Sequence, residues 1–174
     1  VEELKAAPQE EGSVAQKIGM LYELALDSVK TNEDGFEPVK EELAAIRDLG
    51  TKAELSKMVA YLHKEGITPY FALYVGADEK NSSMNIVQLY QAGLGMGDRD
   101  YYLQNDETFS KIREAYKAYI SRLFVLAGHS PEQADAAVTA VMNVENGIAK
   151  ISFSREEMRD SQKNYNKMSC ADFI

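Results

Sequence analysis

The sequence contains two histidines, His63 and His129, and they are the first residues to test for chemistry. A catalytic zinc site of the His-Glu-x-x-His type sets two imidazoles one helical turn apart. The intervening carboxylate is then free to act as base on the metal-bound water. Neither histidine has that setting. His63 is followed by Lys64 and Glu65, His129 by Ser130 and Pro131, and neither has a cysteine partner. Both read as helix-end histidines, whose imidazolium suits the carboxyl-terminal dipole. No metal ligand is assigned.

Nucleophilic chemistry finds no better footing. There is no Gly-x-Ser-x-Gly elbow. Cys170, the only cysteine, stands at a helix start without a local base and reads as a surface or packing thiol. Gly93, Gly95 and Gly97 lack the spacing of the common nucleotide loops, and neither Lys-Ser nor Lys-Thr follows them. No catalytic residue is assigned. The most loaded local feature is Asp98-Arg99-Asp100. In the structural reading, which we prefer, one carboxylate caps the backbone and the guanidinium clamps a neighbouring carboxylate or carbonyl. In the functional reading, Arg99 binds a substrate carboxylate.

Helices must position these residues for most of the chain. Ser13 has the character of an N-cap, and Val14, Ile18, Leu21, Ala25 and Val29 follow on one helical face. Thr31 to Gly35 breaks that helix, and Pro38 belongs in the first turn of the next. There Val39, Leu43 and Ile46 form a buried stripe that ends at Gly50. Thr51 and Glu54 form a capping box for a third helix, which carries Leu55, Met58, Val59 and Leu62 and stops at Gly66. The pattern then changes to Tyr70–Val75 and Asn85–Tyr90, two strand-like runs around a turn at Asp78–Ser83, so a β-hairpin is expected.

The glycine-punctuated segment through Asp100 is expected to be irregular. A long amphipathic helix runs from about Glu107 to Ala127 with Phe109, Ile112, Tyr116, Ile120, Leu123 and Phe124 as its apolar face, and Gly128 stops it. Ser130-Pro131 opens another helix with Ala134, Val138, Val141, Val144 and Ile148 inward. Ser154 to Glu157 caps a further turn, and Ser169 a last short helix. The fold class is therefore mainly α, a helical domain with one small β-hairpin. Residues 1–12 read as a frayed or incomplete edge.

Composition narrows the function classes. The 174 residues are 45% hydrophobic and 27% charged, enough for a packed core. With 19 basic and 28 acidic residues the net charge is -9, which opposes nucleic acid and anionic lipid as general partners. No run approaches the length of a membrane span.

From residue patterns alone the reading stops at a mostly helical domain, and a resemblance carries it further. The stretch from Gly93 to Leu103, Gly-Leu-Gly-Met-Gly-Asp-Arg-Asp-Tyr-Tyr-Leu, resembles the Gly-Leu-Gly-Leu-Pro-Asp-Arg-Asp-Tyr-Tyr-Leu stretch of neprilysin-like zinc endopeptidases. Met96 and Gly97 stand where the family has Leu and Pro, which implies a less rigid loop. Gln16-Lys17-Ile18-Gly19 with Tyr22, Gly35-Phe36-Glu37-Pro38-Val39, Arg159-Asp160 and Tyr165-Asn166-Lys167-Met168 resemble further family elements in the same order.

The resemblance implies that residues 13–174 are part of the helical, non-catalytic lobe of a zinc-dependent endopeptidase of oligopeptides. It places them upstream of the zinc ligands and beyond the arginines that bind a substrate's carboxyl terminus. Zinc is then a cofactor of the parent protein, with no site in this chain. The implied partners are oligopeptide substrates and the missing catalytic lobe. The low cysteine count resembles the bacterial branch, which implies a periplasmic or cell-envelope location. Apolar faces left uncovered imply weak self-association. The alternative from another class is a stand-alone helical module that binds a peptide or protein without catalysis.

Overall fold

The structure is a computed structural model and describes residues 1–173. The described residues form ten α-helices and one antiparallel hairpin, divided between two compact units, Val1–Leu49 and Gly50–Ile174. The mainly helical fold with one small hairpin is the class expected from the sequence.

In the first unit, helix α1 (Glu2–Ala6) forms within the segment read as an edge, and it packs across α2 (Val14–Ala25) beside the buried Gly19. Ser13 caps α2 by accepting the Gln16 N–H at 3.1 Å. The single helix expected through Val29 is in fact two. The Leu26 N–H turns back to the Tyr22 and Glu23 carbonyls and closes α2. Asp27 then starts α3 (Ser28–Asp34) by accepting the Lys30 N–H at 2.9 Å. A side-chain cap one turn too early for the apolar pattern thus makes Thr31–Asp34 helical, where a break was expected. Pro38 lies in a 3-10 turn, Glu37–Val39, that leads into α4 (Lys40–Arg47), which ends before Gly50. Val39, Leu43 and Ile46, expected to be buried, are exposed, because no element is laid over that stripe.

The second unit opens with α5 (Lys52–Lys64), where the Thr51–Glu54 capping box forms as read. Strands β1 (Phe71–Asp78) and β2 (Asn81–Gln91) pair from Phe71↔Gln91 to Ala77↔Asn85, with an irregularity before Asp78↔Asn81. The connecting turn is only Glu79 and Lys80, shorter than expected. Asp100, expected to lie in irregular backbone, opens α6 (Asp100–Leu103).

Helices α7 (Glu107–Leu126) and α8 (Pro131–Ile151) are the long antiparallel pair, capped by Asp106 and Ser130. Tyr102 from α6, Ile120 from α7, and Met142 and Ala149 from α8 form the buried core, with Leu94, Met96, Tyr116 and Phe124 packed against it. Val144, expected inward, faces solvent, and the neighbouring Glu145 turns toward the core loop instead. A 3-10 turn (Glu157–Arg159), α9 (Ser161–Asn164) and α10 (Cys170–Phe173) complete the chain.

Candidate functional site

The segment between β2 and α6 runs along α8 and is held there by one carboxylate. Glu145 Oε2 accepts the Tyr102 hydroxyl at 2.8 Å, and Oε1 accepts the Tyr116 hydroxyl at 3.0 Å and the Gly95 N–H at 3.2 Å. The Tyr102 hydroxyl oxygen in turn accepts the Met96 N–H at 3.1 Å. Burial first, then the bond to Glu145, pushes the Tyr116 phenol up to about 12, and the same causes raise that of Tyr102. Both tyrosines therefore stay neutral donors.

Two glycines make this close approach possible. A Cβ on Gly95 would collide with the Tyr116 hydroxyl. Gly93 has φ +83°, and a Cβ there would stand 2.7 Å from Tyr70 Cα. Tyr70 itself has φ 65°, in a tight turn where the Phe71 N–H donates to the Pro69 carbonyl at 2.8 Å. A left-handed tyrosine is strained, and packing around it must hold it there.

Asp98, Arg99 and Asp100 follow directly. Asp98 Oδ1 accepts the Asp100 N–H at 2.8 Å, and its Oδ2 pairs with Arg155 Nε. Burial opposes ionisation of Asp98. The Asp100 N–H and the Arg155 charge outweigh it, so the carboxyl is held below its ordinary range. Arg99 donates from a terminal nitrogen to the Ser152 carbonyl at 2.7 Å, with Glu157 at 3.9 Å, while its buried Nε has no partner among the described residues. Asp100 occupies the first turn of α6.

These residues border an open cleft of about 800 Å³ whose walls include Gln91, Gly95, Arg99, Phe153, Arg155 and Arg159. Its far rim is fixed by the Gln91 side-chain amide, which pairs with the Phe153 backbone like an extra strand residue, N–H to Oε1 at 2.7 Å and Nε2 to carbonyl at 3.0 Å.

A second carboxylate organises the hairpin tip. Asp78, fully buried, accepts the Lys167 ammonium at 2.6 Å, the Tyr165 hydroxyl at 2.9 Å and the Lys80 N–H at 2.9 Å. Lys167 above all, then the Lys80 N–H, hold its carboxyl down at about 2. Sequence reasoning singled out Tyr165 and Lys167 only through resemblance and passed over Asp78, Glu145 and Gln91. The apolar pattern of α8 held one usable signal, a carboxylate at Glu145 next to an inward register.

Neither histidine lies in a cluster of metal-ligating side chains among the described residues. The ring nitrogens of His63 lie 2.8 Å from the Val59 and Phe71 carbonyls, and His129 packs its ring on Phe124. Among the described residues no three His, Cys, Asp or Glu side chains come together as a metal site. The residues present therefore do not fit a zinc ion.

The model of peptidase family M13, N-terminal part, matches residues 1–174. The chain belongs to peptidase family M13. It is 36% identical to human endothelin-converting enzyme 1 over 106 residues, which is 60% of this chain and 14% of that enzyme. It is also 36% identical over 98 residues to the endothelin-converting enzyme homolog of Locusta migratoria, 56% of this chain and 13% of that one. The inhibitor-bound crystal structure of the Mycobacterium tuberculosis zinc metalloprotease ZMP1 superposes with a TM-score of 0.83 and 28% identity, over 98% of this chain and 26% of ZMP1. PepO from Lactobacillus rhamnosis shares the fold, with a TM-score of 0.81, 19% identity, and coverage of 99% of this chain and 28% of PepO. The M13 chain thus spans about a quarter of its solved relatives and about a seventh of its curated ones. Among the described residues no helix is long and apolar enough to cross a membrane.

Proposed function

We propose that this chain is part of the helical, non-catalytic lobe of a zinc-dependent endopeptidase, where it forms chamber wall and substrate gate for oligopeptides. The observation that carries the reading is a family match over residues 1–174 in a chain whose described residues bring no metal-ligating trio together. Zinc and the water it activates then belong to the parent's other lobe, and this chain's contribution is shape and charge around the substrate. The bacterial envelope is our proposed location, on the family resemblance.

The test is metal and peptidase assay of this chain beside its full-length parent. The expected result is zinc-dependent peptide hydrolysis by the parent only. The chain should retain no stoichiometric zinc after exhaustive dialysis. Zinc held by the chain and lost on replacing His63 or His129 would sink the reading, as would a parent reading frame without His-Glu-x-x-His.

Within this role Asp98, Arg99 and Asp100 act as a structural clamp, supported by the Asp98 cap on Asp100 and the bond from Arg99 to Ser152. Arg99→Ala is expected to destabilise the fold by about 1–3 kcal/mol, the cost of stranding a partner of a charged group. In the parent it should act through the folded fraction. A stable variant whose KM rises selectively for peptides with free carboxyl termini would instead give Arg99 to the substrate.

A further inference from the structure

The cleft beside the clamp carries positive charge that the fold uses only in part. Its ionised lining is Arg99, Arg155 and Arg159 against Asp98 and Glu145, in a chain whose net charge is -9. Both carboxylates are committed, Glu145 to two tyrosine hydroxyls and an N–H, Asp98 to Arg155 and the Asp100 N–H. Of the cations Arg99 is committed too, to the Ser152 carbonyl, but the other two keep free donors. Arg155 gives only its Nε to Asp98, and its side chain is 70% exposed. The Arg159 side chain has no hydrogen bond or ion pair among the described residues, although it stands on the cleft wall.

A guanidinium presents paired N–H groups in the geometry of a carboxylate, so the terminal nitrogens of Arg155 and the fork of Arg159 on one wall are suited to that group. Tyr90, Phe153 and Met158 beside them offer an apolar surface to the residue carrying it.

We infer that the cleft binds an oligopeptide through a carboxylate held at Arg155 and Arg159, with a neighbouring apolar side chain on Tyr90, Phe153 and Met158. This rests on the peptidase reading for its substrate class. The carboxylate comes from the peptide's C-terminus or from an acidic side chain. The fixed Asp98–Arg155 pair orients one guanidinium, and Arg159 closes on the ligand.

The probes are three N-acetylated tripeptides: Ala-Phe-Ala with a free C-terminus, the same peptide amidated, and amidated Ala-Phe-Glu. They are titrated into isotope-labelled chain while the arginine Nε–H signals are followed. One or both acidic peptides should shift the Arg155 and Arg159 signals, and which one does identifies the source. The neutral amide should bind roughly tenfold more weakly or worse, and so should the acidic peptides to Arg159→Gln. Arg122→Gln, at an exposed arginine outside the cleft, should bind as the wild type does. In the parent, Arg159→Gln should raise KM for the acidic peptide and leave kcat in place. Equal binding of the neutral amide, or no shift with either acidic peptide, overturns the inference. A parent variant that loses thermal stability with every KM unchanged also overturns it, by assigning the cleft to the parent's own chain. A parent that hydrolyses no oligopeptide defeats the peptidase reading instead, because binding to this chain is measured without catalysis.

Discussion

Helices α2 and α8 carry the same kind of apolar repeat, yet only one of them is built into a core. In α8, Met142 is 8% exposed and Ala149 is fully buried against α6 and α7. In α2, Leu24 is 63% exposed, and of its twelve residues only Gly19 is buried. Periodicity of three and four residues reports that a segment is helical and which face is apolar. It does not report whether another element covers that face. Covering requires a partner of matching length, and α7 supplies α8 with twenty residues where α1 supplies α2 with five.

The largest expected effect follows from that contrast. Met142→Ala removes a side chain from a filled core and should cost about 2–5 kcal/mol. Leu24→Ala, the same loss on a solvated face, should stay within about 0.5 kcal/mol. Chemical denaturation of both variants checks it. A costly Leu24→Ala would show that the α2 face is covered in solution and would remove the contrast.

The next effect concerns polar rather than apolar contacts. Glu145→Ala strands the hydroxyls of Tyr102 and Tyr116 and the N–H of Gly95, and should cost about 1–3 kcal/mol. The Tyr116 phenol should also titrate below its present value of about 12, because the bond to Glu145 is one of its causes. Ultraviolet difference titration resolves this from a plain loss of packing. A variant with unchanged stability and unchanged tyrosine titration would mean that the loop is held by its glycines alone.

These two clusters mark how far the sequence could be read. The caps at Ser13, Thr51 and Ser130 were legible because donor and acceptor lie within a few residues, so the pattern is local. The hairpin was legible from its strand-like runs, though its turn was not. Asp78 with Tyr165 and Lys167 was not legible from spacing, since 87 and 89 residues separate them and no local rule links a buried carboxylate to a distant ammonium. The 62-residue link between Gln91 and Phe153 was hidden in the same way. The split between α2 and α3 was not legible because the apolar repeat runs on from Ala25 to Val29 across Asp27, whose side chain caps α3. At the candidate site the sequence singled out Asp98, Arg99 and Asp100, while the partners that fix them, Arg155 and Ser152, emerged only with the fold.

A smaller effect appears on acidification. The Asp78 carboxyl is held at about 2 in the folded chain, below the ordinary carboxylate value of about 4 in an unfolded one. A depressed folded value means that the unfolded state takes up protons first. The contribution is therefore complete above about pH 4 and is lost as pH falls toward about 2. Glu157, held at about 2 chiefly by Lys163 and the Ser154 N–H, adds to the same acid limb. Asp78→Asn should flatten the fall in Tm across this window in part, leaving the share due to Glu157. An acid limb identical to wild type would remove Asp78 from the account of the hairpin tip.

The smallest effect lies at the surfaces without partners. Helix α10 has four residues, with the Asp172 N–H capped by the Ser169 hydroxyl. A helix that short has no stability of its own in water. Phe173 is exposed, and Ile174, expected to share its lack of partners, lies outside the described residues. Amides of the last ten residues should therefore exchange quickly. The apolar residues of α2, Val14, Leu21 and Leu24 among them, form a surface of the kind that promotes association. Sedimentation across a wide concentration range should show weak, reversible self-association, and replacing Leu21 and Leu24 by polar residues should abolish it without loss of stability. If the chain is a strict monomer at high concentration and its last ten residues are strongly protected, both ends are covered by the chain itself. The α2 face would then have a partner within the chain, and the contrast between α2 and α8 would fall.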